Sequence, residues 1–226
     1  MGAMTSFKRA RSEEQRAERR QAILDTAAAM LDEQPVAQIS LNELSRRVCL
    51  AKSNVLRYFE SREAVLLELL DTQSRTWLDA LGSDLATGID AAASAQQRTD
   101  HLAALLTASL AARPVLCDLI SNQAAVLERN VSTSVAAQYK RSAIANVAVL
   151  AQLVLGSVPE FGEYDAQRYA ATILLVAGSI WTHAQPSAAM RAVYEQDPEL
   201  AVLRIDFADA LRQLLEVLAA GLLARQ

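Results

Sequence analysis

The sequence contains few of the residues that interrupt helices or cross-link chains. Its 226 residues include seven Gly, five Pro, two Cys and two His, and aromatic residues account for only 5% of the chain. Hydrophobic residues account for 52%, which is enough to form a sizeable core. Because Ala and Leu are abundant while Gly, Pro and aromatic residues are scarce, we predict an all-α fold.

The sequence also lacks cysteine motifs, a signal peptide and a long apolar run, and these absences indicate where in the cell the protein is located. Cys49 and Cys117 lie far apart, so they form neither a disulfide framework nor a motif with metal-ligand spacing, as is typical of a reducing cytosol. The first thirty residues carry charges throughout, which does not fit a signal peptide. The longest apolar run, residues 169–181, is shorter than the ~20 residues that cross a bilayer. We therefore expect a cytoplasmic protein with no membrane partner.

Motifs of known catalytic centres are also missing. The sequence has no Gly-rich phosphate loop, no Cys-x-x-Cys, no His-Glu-x-x-His and no Gly-x-Ser-x-Gly. Cys117 and the distant His101 do not form a useful catalytic pair. We predict that the protein is not an enzyme, with no catalytic residue, no metal site and no cofactor.

Charge is distributed unevenly along the chain. The net charge is −4, yet residues 1–64 hold 11 Lys and Arg against 9 Asp and Glu, while residues 65–226 hold 11 against 17. The early basic residues are Lys8, Arg9, Arg11, Arg16, Arg19 and Arg20. This cluster indicates either an arm that contacts phosphates or a solvated lead-in.

Capping residues and apolar spacing predict a series of helices. A first helix of about twenty residues begins at the capping box Ser12–Gln15 and ends before Pro35. A long helix starts at Arg62 after the cap Ser61. Shorter and later helices are predicted over 41–48, 52–59, 97–112, 114–129, 132–156, 164–185, 187–195 and 199–225.

The two short helices at 41–48 and 52–59 form a helix-turn-helix pattern. A tight turn at Cys49 joins them, Ser45 is small enough for their crossing, and Val55 and Phe59 face inward. In such a pair the second helix enters the major groove of DNA. The pattern therefore predicts a nucleic-acid interface on the outer face of the second helix.

The outer face carries the side chains for this role. Asn54 can pair with adenine and Arg57 with guanine, while Lys, Ser and Tyr donate to phosphates. The alternative is that these polar residues only form a solvated helix surface. The candidate DNA-binding residues are Lys8, Arg9, Arg11, Ser40, Lys52, Ser53, Asn54, Arg57, Tyr58 and Arg62.

Residues 39–70, with the helix before them, resemble the DNA-binding domain of the TetR/AcrR family of bacterial transcriptional regulators. The resemblance is close at Leu44, Lys52, Phe59, Ser61 and Glu63. The sequence departs from the family pattern at Cys49, where Gly is usual, at Ala51 and Ser53, and over residues 56–58. The total length and an all-helical remainder also fit the family.

The resemblance implies a homodimer whose two recognition helices read a palindromic operator. It implies an N-terminal basic arm and helix-turn-helix DNA-binding domain over residues 1–61. Residues 62–226 would then form a larger helical domain that dimerises and binds a small apolar or amphipathic effector, which releases the repressor from DNA. The alternative is an effector-independent or nucleoid-associated DNA-binding protein on the same fold, which would lack a ligand cavity.

Two predicted helices, at 164–185 and 199–225, are apolar around more of their circumference than one core requires. We expect them to form the dimer interface as a helix bundle. The alternative is that both are central helices of a monomer.

Polar and aromatic residues inside apolar helical patterns indicate a ligand pocket. The preferred candidates are Trp77, Cys117, Gln123, Asn146, Trp181 and His183. Further candidates are His101, Asn122, Tyr139 and Tyr194. Trp181 and His183 are preferred because they follow the most apolar run, although a Trp or a lone His in a helix is more often part of the core.

Overall fold

The computed structural model describes the backbone of residues 2–225 and the side chains of residues 13–225. Every regular element in this part of the chain is helical, which confirms the all-α prediction. The helices are α1 Gly2–Glu33, α2 Leu41–Arg47, α3 Lys52–Val55, α4 Arg62–Gly88, α5 Ala95–Ala111, α6 Pro114–Asn122, α7 Thr133–Ser157, α8 Gly162–Ala184, α9 Ala188–Gln196, α10 Pro198–Ala201 and α11 Phe207–Leu223.

The N-terminal helices pack around a small apolar core. Ile23, Ala27 and Met30 of α1 recur at helical spacing and are fully buried. They lie in one hydrophobic cluster with Leu44 of α2 and Val55 of α3. Helix α2 packs against α1 and α3, and α1 packs against α4, which gives the compact unit that a helix-turn-helix requires.

The larger bundle consists of α4 to α8 and α11. Helix α8 packs against α6, α7 and α11, while α4 crosses α5 and α7. Two buried polar groups link helices of the bundle: Trp77 Nε1 donates to Ser109 Oγ at 2.9 Å, and the Tyr169 hydroxyl donates to the Leu215 carbonyl at 3.1 Å. These bonds join α4 to α5 and α8 to α11. They also give hydrogen-bond partners to polar groups whose burial would otherwise destabilise the fold.

Several predicted helix boundaries were wrong. Helix α1 is continuous from Gly2, so Ser12 lies inside a helix and does not begin one. The helix predicted over 114–129 ends at Asn122, and Leu127–Arg129 forms a separate 3-10 turn. The segment predicted as one helix over 199–225 is interrupted, because the Asp206 carboxylate accepts from the Asp209 amide at 2.9 Å and starts α11 anew.

The recognition helix is also shorter than predicted. Helix α3 ends at Val55, and residues 56–58 continue as turns, in which the Tyr58 amide donates to the Val55 carbonyl at 2.9 Å. The turn preserves the inward direction of Phe59, which is 3% exposed. The polar face therefore extends from the short helix onto the turn that follows it.

The turn between α2 and α3 places an ordinary residue in a conformation that favours glycine. Cys49 has φ 55°, the left-handed region. For a residue with a side chain this conformation is unfavourable by roughly 1–2 kcal/mol. The turn is nevertheless closed by the Leu50 amide, which donates to the Ser45 carbonyl at 3.0 Å.

Replacing Cys49 with glycine should stabilise the fold. We expect Cys49→Gly to raise the free energy of unfolding by about 0.5–1 kcal/mol, because relief of the strain exceeds the extra entropy of an unfolded glycine. Cys49→Val should lower it by about 1 kcal/mol or more, since a β-branched side chain fits this φ poorly. Chemical denaturation of the three proteins measures both effects, and equal stability of all three would contradict the strain.

Candidate nucleic-acid interface and ligand cavity

The helix-turn-helix segment, residues 40–59, is built from local capping and crossing contacts. Ser40 Oγ accepts from the Glu43 amide at 3.1 Å and so begins α2. Ser45, buried where the two helices cross, donates to the Asn42 carbonyl at 2.8 Å. Ser40 therefore has a structural role as the N-cap of α2 and remains exposed to solvent.

The outer face of the segment consists of polar side chains without internal partners. Lys52, Ser53, Asn54 and Arg57 are all exposed, while Val55 between them is fully buried. Within residues 13–225 these four side chains make no hydrogen bond or ion pair. Their donors and acceptors are consequently available to an external partner.

The basic residues of α2, in contrast, are paired with carboxylates. Arg47 donates both terminal nitrogens to Glu33, at 2.8 and 2.7 Å, and its Nε to Glu43 at 2.9 Å. Arg46 Nε also donates to Glu43 at 2.9 Å. Hydrogen bonds from Arg46 and then Arg47 lower the pKa of the Glu43 carboxyl to about 2, and the bond from Arg47 lowers that of Glu33.

The unpaired positive charge of this segment lies on the outer face of α3 and of the turn that follows it. The arginines of α2 are neutralised by carboxylates, whereas Lys52 and Arg57 face solvent without a counterion in the described part of the chain. A phosphate backbone is attracted more strongly to unpaired cations than to cations that must first leave a carboxylate. The geometry therefore favours α3 and the following turn as the surface that meets nucleic acid.

Two of the predicted DNA-binding residues are engaged inside the domain. Tyr58 is half-buried, and its carbonyl accepts from Arg20 Nη1 at 2.6 Å. Arg62 donates Nη1 to the Ile39 carbonyl at 2.9 Å and pairs with Glu63 at 2.9 Å. Arg62 thus fastens the chain before α2 to the first turn of α4. The side chains of Lys8, Arg9 and Arg11 lie outside the described residues.

Loss of the Arg62 contacts should destabilise the domain. We expect Arg62→Ala to lower the free energy of unfolding by about 1–3 kcal/mol, because the buried Glu63 carboxylate and the Ile39 carbonyl lose their partner. Asn54→Ala is the matched control, since Asn54 is exposed and unbonded, and it should change stability by less than about 0.5 kcal/mol. Denaturation curves check this, and an unaltered midpoint for Arg62→Ala would contradict a structural role.

Arg20 joins three elements at the base of the helix-turn-helix segment. Its Nε donates to Glu68 Oε1 at 2.8 Å, and its Nη2 pairs with the other oxygen of the same carboxylate. Its Nη1 bonds the Tyr58 carbonyl, and its guanidinium lies 4.1 Å from the centre of the Phe59 ring. This guanidinium therefore links α1, α4 and the end of the helix-turn-helix segment, and we call the set the Arg20 clamp.

A cavity of about 430 Å³ lies between α4, α6, α7 and α8. We call it the α7–α8 cavity. Most of its wall is apolar, and its polar lining residues are Asp71, Ser74, Ser121, Gln123, Tyr139, Asn146, Ser179 and Thr182. Asn146 Nδ2 donates to Asp71 Oδ1 at 2.9 Å, which ties α7 to α4 across the wall. An apolar space with a few polar groups is typical of a site for a small organic ligand.

The cavity includes only part of the predicted ligand residues. Gln123, Asn146 and Tyr139 line it. Trp77 and Cys117 do not line it; both are buried in the core. Burial raises the pKa of the Cys117 thiol to about 12, and this thiol lies 3.3 Å from the Leu110 carbonyl.

Other predicted ligand residues lie away from the cavity. Trp181 packs edge-on against Phe207, with the ring centres 5.1 Å apart. His183 and His101 are exposed, and neither lines the cavity, nor do Asn122 and Tyr194. The sequence reasoning missed Asp71, although a carboxylate directly after the apolar Leu69 and Leu70 of α4 was a usable signal.

An apolar surface covers the outer side of α8 and α11. Tyr164 and Leu175 of α8 are 73% and 74% exposed, and Val217 of α11 is 69% exposed. Between them, Thr172, Leu218 and Gly221 line a shallow groove. We call this surface the α8–α11 face. Exposed apolar area of this kind marks interaction surfaces in soluble proteins.

Within residues 2–225, no helix taken alone combines the length and the apolar character of a membrane span. Two pairs, Ala95–Ala111 with Pro114–Asn122 and Thr133–Ser157 with Pro159–Ala184, reach that composition only when joined across bends of 90° and 112°.

A helix-turn-helix unit followed by a helical bundle with an apolar cavity defines a class of two-domain DNA-binding transcriptional regulators. The family model described as "Tetracyclin repressor-like, C-terminal domain" matches residues 71–226, and the one described as "Bacterial regulatory proteins, tetR family" matches residues 23–69. The chain belongs to the TetR family of bacterial transcriptional regulators. Members of this family bind DNA and small-molecule effectors, and they dimerise.

Sequence similarity to a characterised relative is confined to one segment. The chain is 43% identical over 54 residues to the HTH-type transcriptional regulator EthR of Mycobacterium tuberculosis. The match covers 24% of this chain and 25% of that protein. It therefore extends over about a quarter of each sequence.

Solved structures resemble nearly the whole chain. A TetR transcriptional regulator from Rhodococcus sp. RHA1 aligns with TM-score 0.58 at 16% identity, over 93% of this chain and 97% of that one. The fatty acid degradation regulator FadR from Bacillus halodurans aligns with TM-score 0.55 at 16% identity, over 89% and 98%. FadR from Bacillus subtilis, solved in complex with stearoyl-CoA, gives 0.54 at 15%, over 89% and 98%. At these identities the similarity establishes the fold.

Proposed function

We propose that this regulator is a repressor that binds a palindromic operator as a homodimer and is released by a small apolar or amphipathic molecule. The observation that carries the proposal is the outer face of α3, where Lys52, Asn54 and Arg57 are exposed and unpaired while the arginines of α2 are neutralised. Asn54 and Arg57 read base edges, and Lys52 and Ser53 contact phosphates. Residues 1–61 form the DNA-binding unit in this proposal, and residues 62–226 the effector and dimer unit.

The α7–α8 cavity supports an effector-dependent regulator over an effector-independent one. A DNA-binding protein with a purely architectural role needs no apolar cavity. The FadR neighbour solved with stearoyl-CoA supports the same interpretation, since a protein of this fold binds an amphipathic molecule. Asp71 on α4 lies in the cavity wall, while Arg62 begins the same helix against the helix-turn-helix segment. Ligand binding therefore acts on DNA affinity through α4.

Substitution of the predicted base readers tests the DNA-binding role. Asn54→Ala and Arg57→Ala should each weaken binding to the preferred duplex by about 1–3 kcal/mol and relax the preference at one position of each half-site. Arg141→Ala is the control, because Arg141 is exposed on α7 away from this face and should leave selectivity unchanged. The measurement is selection of duplexes from a random pool, followed by anisotropy titrations.

The same titrations examine the N-terminal basic residues. Lys8, Arg9 and Arg11 together changed to Ala should weaken binding to every duplex alike and reduce the salt dependence, because phosphate contacts carry no sequence information. Selectivity that survives in both α3 variants, or a sequence-selective loss in the arm variant, contradicts these assignments.

The α8–α11 face is the proposed dimer interface. It carries exposed Leu175 and Val217 on adjacent helices, and a two-fold axis would place the same patch of both copies in contact. This assignment keeps α8 and α11 in the role proposed for the ranges 164–185 and 199–225. Dimerisation is what positions two copies of α3 about one turn of DNA apart.

A charge placed in this face should separate the subunits. Val217→Asp should convert the dimer to a monomer at micromolar concentration, since it would bury an unpaired carboxylate in the interface. Ile144→Asp is the matched control, because Ile144 is 69% exposed on α7. Light scattering after size-exclusion chromatography measures the mass. A monomer for Ile144→Asp alone would place the interface on α7.

A further inference from the structure

A second cavity, of about 230 Å³, lies where the helix-turn-helix segment meets the bundle. Its lining comes from α1, from the residues between α3 and α4, from α4 and from α7. We call it the junction cavity. It shares Asp71 and Tyr139 with the α7–α8 cavity, so these two side chains form a common wall between the two spaces.

Tyr139 in this wall is largely buried, and the Lys140 ammonium lies 5.7 Å from the centre of its ring. Tyr139 is 7% exposed, and within residues 13–225 its hydroxyl makes no hydrogen bond. Burial, and then the negative charges of Glu128 and Asp71, raise the pKa of Tyr139, so the hydroxyl keeps its proton and is able both to donate and to accept. Its hydroxyl opens into the space of the two cavities, where it is available to hydrogen-bond a polar group of a ligand.

The junction cavity has the chemistry of a site for an organic cation. Three carboxylates line it, those of Glu60, Glu68 and Asp71, against the single guanidinium of Arg20. The aromatic rings of Tyr58, Phe59 and Tyr139 complete the lining. Carboxylates combined with aromatic faces recognise ammonium groups by ion pairing and by cation–π attraction. Arg20 already occupies one such position, over the Phe59 ring.

The neighbouring space is suited to a hydrocarbon chain. On the other side of the Asp71–Tyr139 wall, the α7–α8 cavity is lined by Leu70, Val147 and Leu174. The two cavities together therefore fit a molecule with a positively charged head and an apolar tail. The head fits the junction cavity, and the tail fits the α7–α8 cavity.

We propose that the effector is an amphipathic organic cation whose ammonium group lies in the junction cavity, at Asp71 and Tyr139, and whose apolar tail lies in the α7–α8 cavity. This proposal rests on the effector-dependent repression proposed above. The ammonium group replaces Asn146 and Arg75 as the partner of the Asp71 carboxylate. It also donates a hydrogen bond to the Tyr139 hydroxyl oxygen. From that position it competes with Arg20 for Glu68.

The competition explains how such a ligand lowers DNA affinity. Arg20 holds Glu68, the Tyr58 carbonyl and the Phe59 ring at the same time. A cation that takes over Glu68 weakens this clamp, and the turn after α3 loses its connection to α1 and α4. The outer face of α3 is then no longer held in one orientation.

Binding of n-octylammonium to the full-length protein without DNA tests the site directly. At pH 7 the amine is protonated. Calorimetry should show that it binds at least tenfold more tightly than n-octanol and n-octanoate, which share the tail but lack the positive charge. Equal or weaker binding of the amine overturns the proposal.

Substitutions in the common wall locate the head group. Asp71→Asn should weaken octylammonium binding about tenfold and leave octanol binding unchanged, and Tyr139→Phe should weaken it by a smaller factor. Asp79→Asn is the matched control on the same helix, because Asp79 is exposed and lines neither cavity. An equal loss in Asp79→Asn, or no loss in Asp71→Asn, overturns the assignment.

Release of a selected duplex distinguishes this proposal from the proposed function. Octylammonium that binds with the expected charge preference and displaces the duplex supports both. Displacement by octanol or octanoate but not by the amine overturns the cation site and leaves effector-dependent repression intact. Tight amine binding without displacement overturns the coupling through Arg20 and retains the site.

Discussion

The continuity of α4 is the constraint on which the rest of the structure depends. The Ser61 hydroxyl caps the helix by accepting from the Ala64 amide at 3.1 Å, and Arg62 then fastens its first turn to the Ile39 carbonyl. From there the helix runs 27 residues without interruption into the larger bundle. Because a helix transmits displacement along its axis far better than a loop does, a group bound beside Asp71 is mechanically connected to the helix-turn-helix segment. A displacement of α4 in the larger bundle would therefore also move the helix-turn-helix segment.

Much of the fold was predictable because its signals are local. The caps at Ser40 and Ser61 and the inward spacing of Val55 and Phe59 act within a few residues, and each was recognised from the sequence. The interruption before α11 was missed because apolar residues continue through 200–207 at helical spacing, and this outweighed the capping signal of Asp206. A polar cap inside an apolar pattern is a short signal opposed by a long one.

The candidate sites were less predictable because they depend on distant packing. Trp77 and His183 were selected by residue type, yet the cavity opens wherever α4, α7 and α8 diverge, and no local pattern encodes that divergence. Arg62 was selected for its charge, but the position of Ile39 beside it gives that charge an internal partner. Whether a cation is free or paired is a tertiary property, as the contrast between Arg47 and Arg57 shows.

The contrasting environments of the two cysteines make the protein a convenient object for spectroscopy. The Cys117 sulfur is fully buried and its raised pKa keeps it as an unreactive thiol, whereas Cys49 is exposed in the turn directly before α3. Alkylating reagents near neutral pH consume thiolate, so they modify Cys49 selectively. A nitroxide or fluorophore attached there would report, in the proposed dimer, the separation of the two copies of α3 without a cysteine having to be introduced.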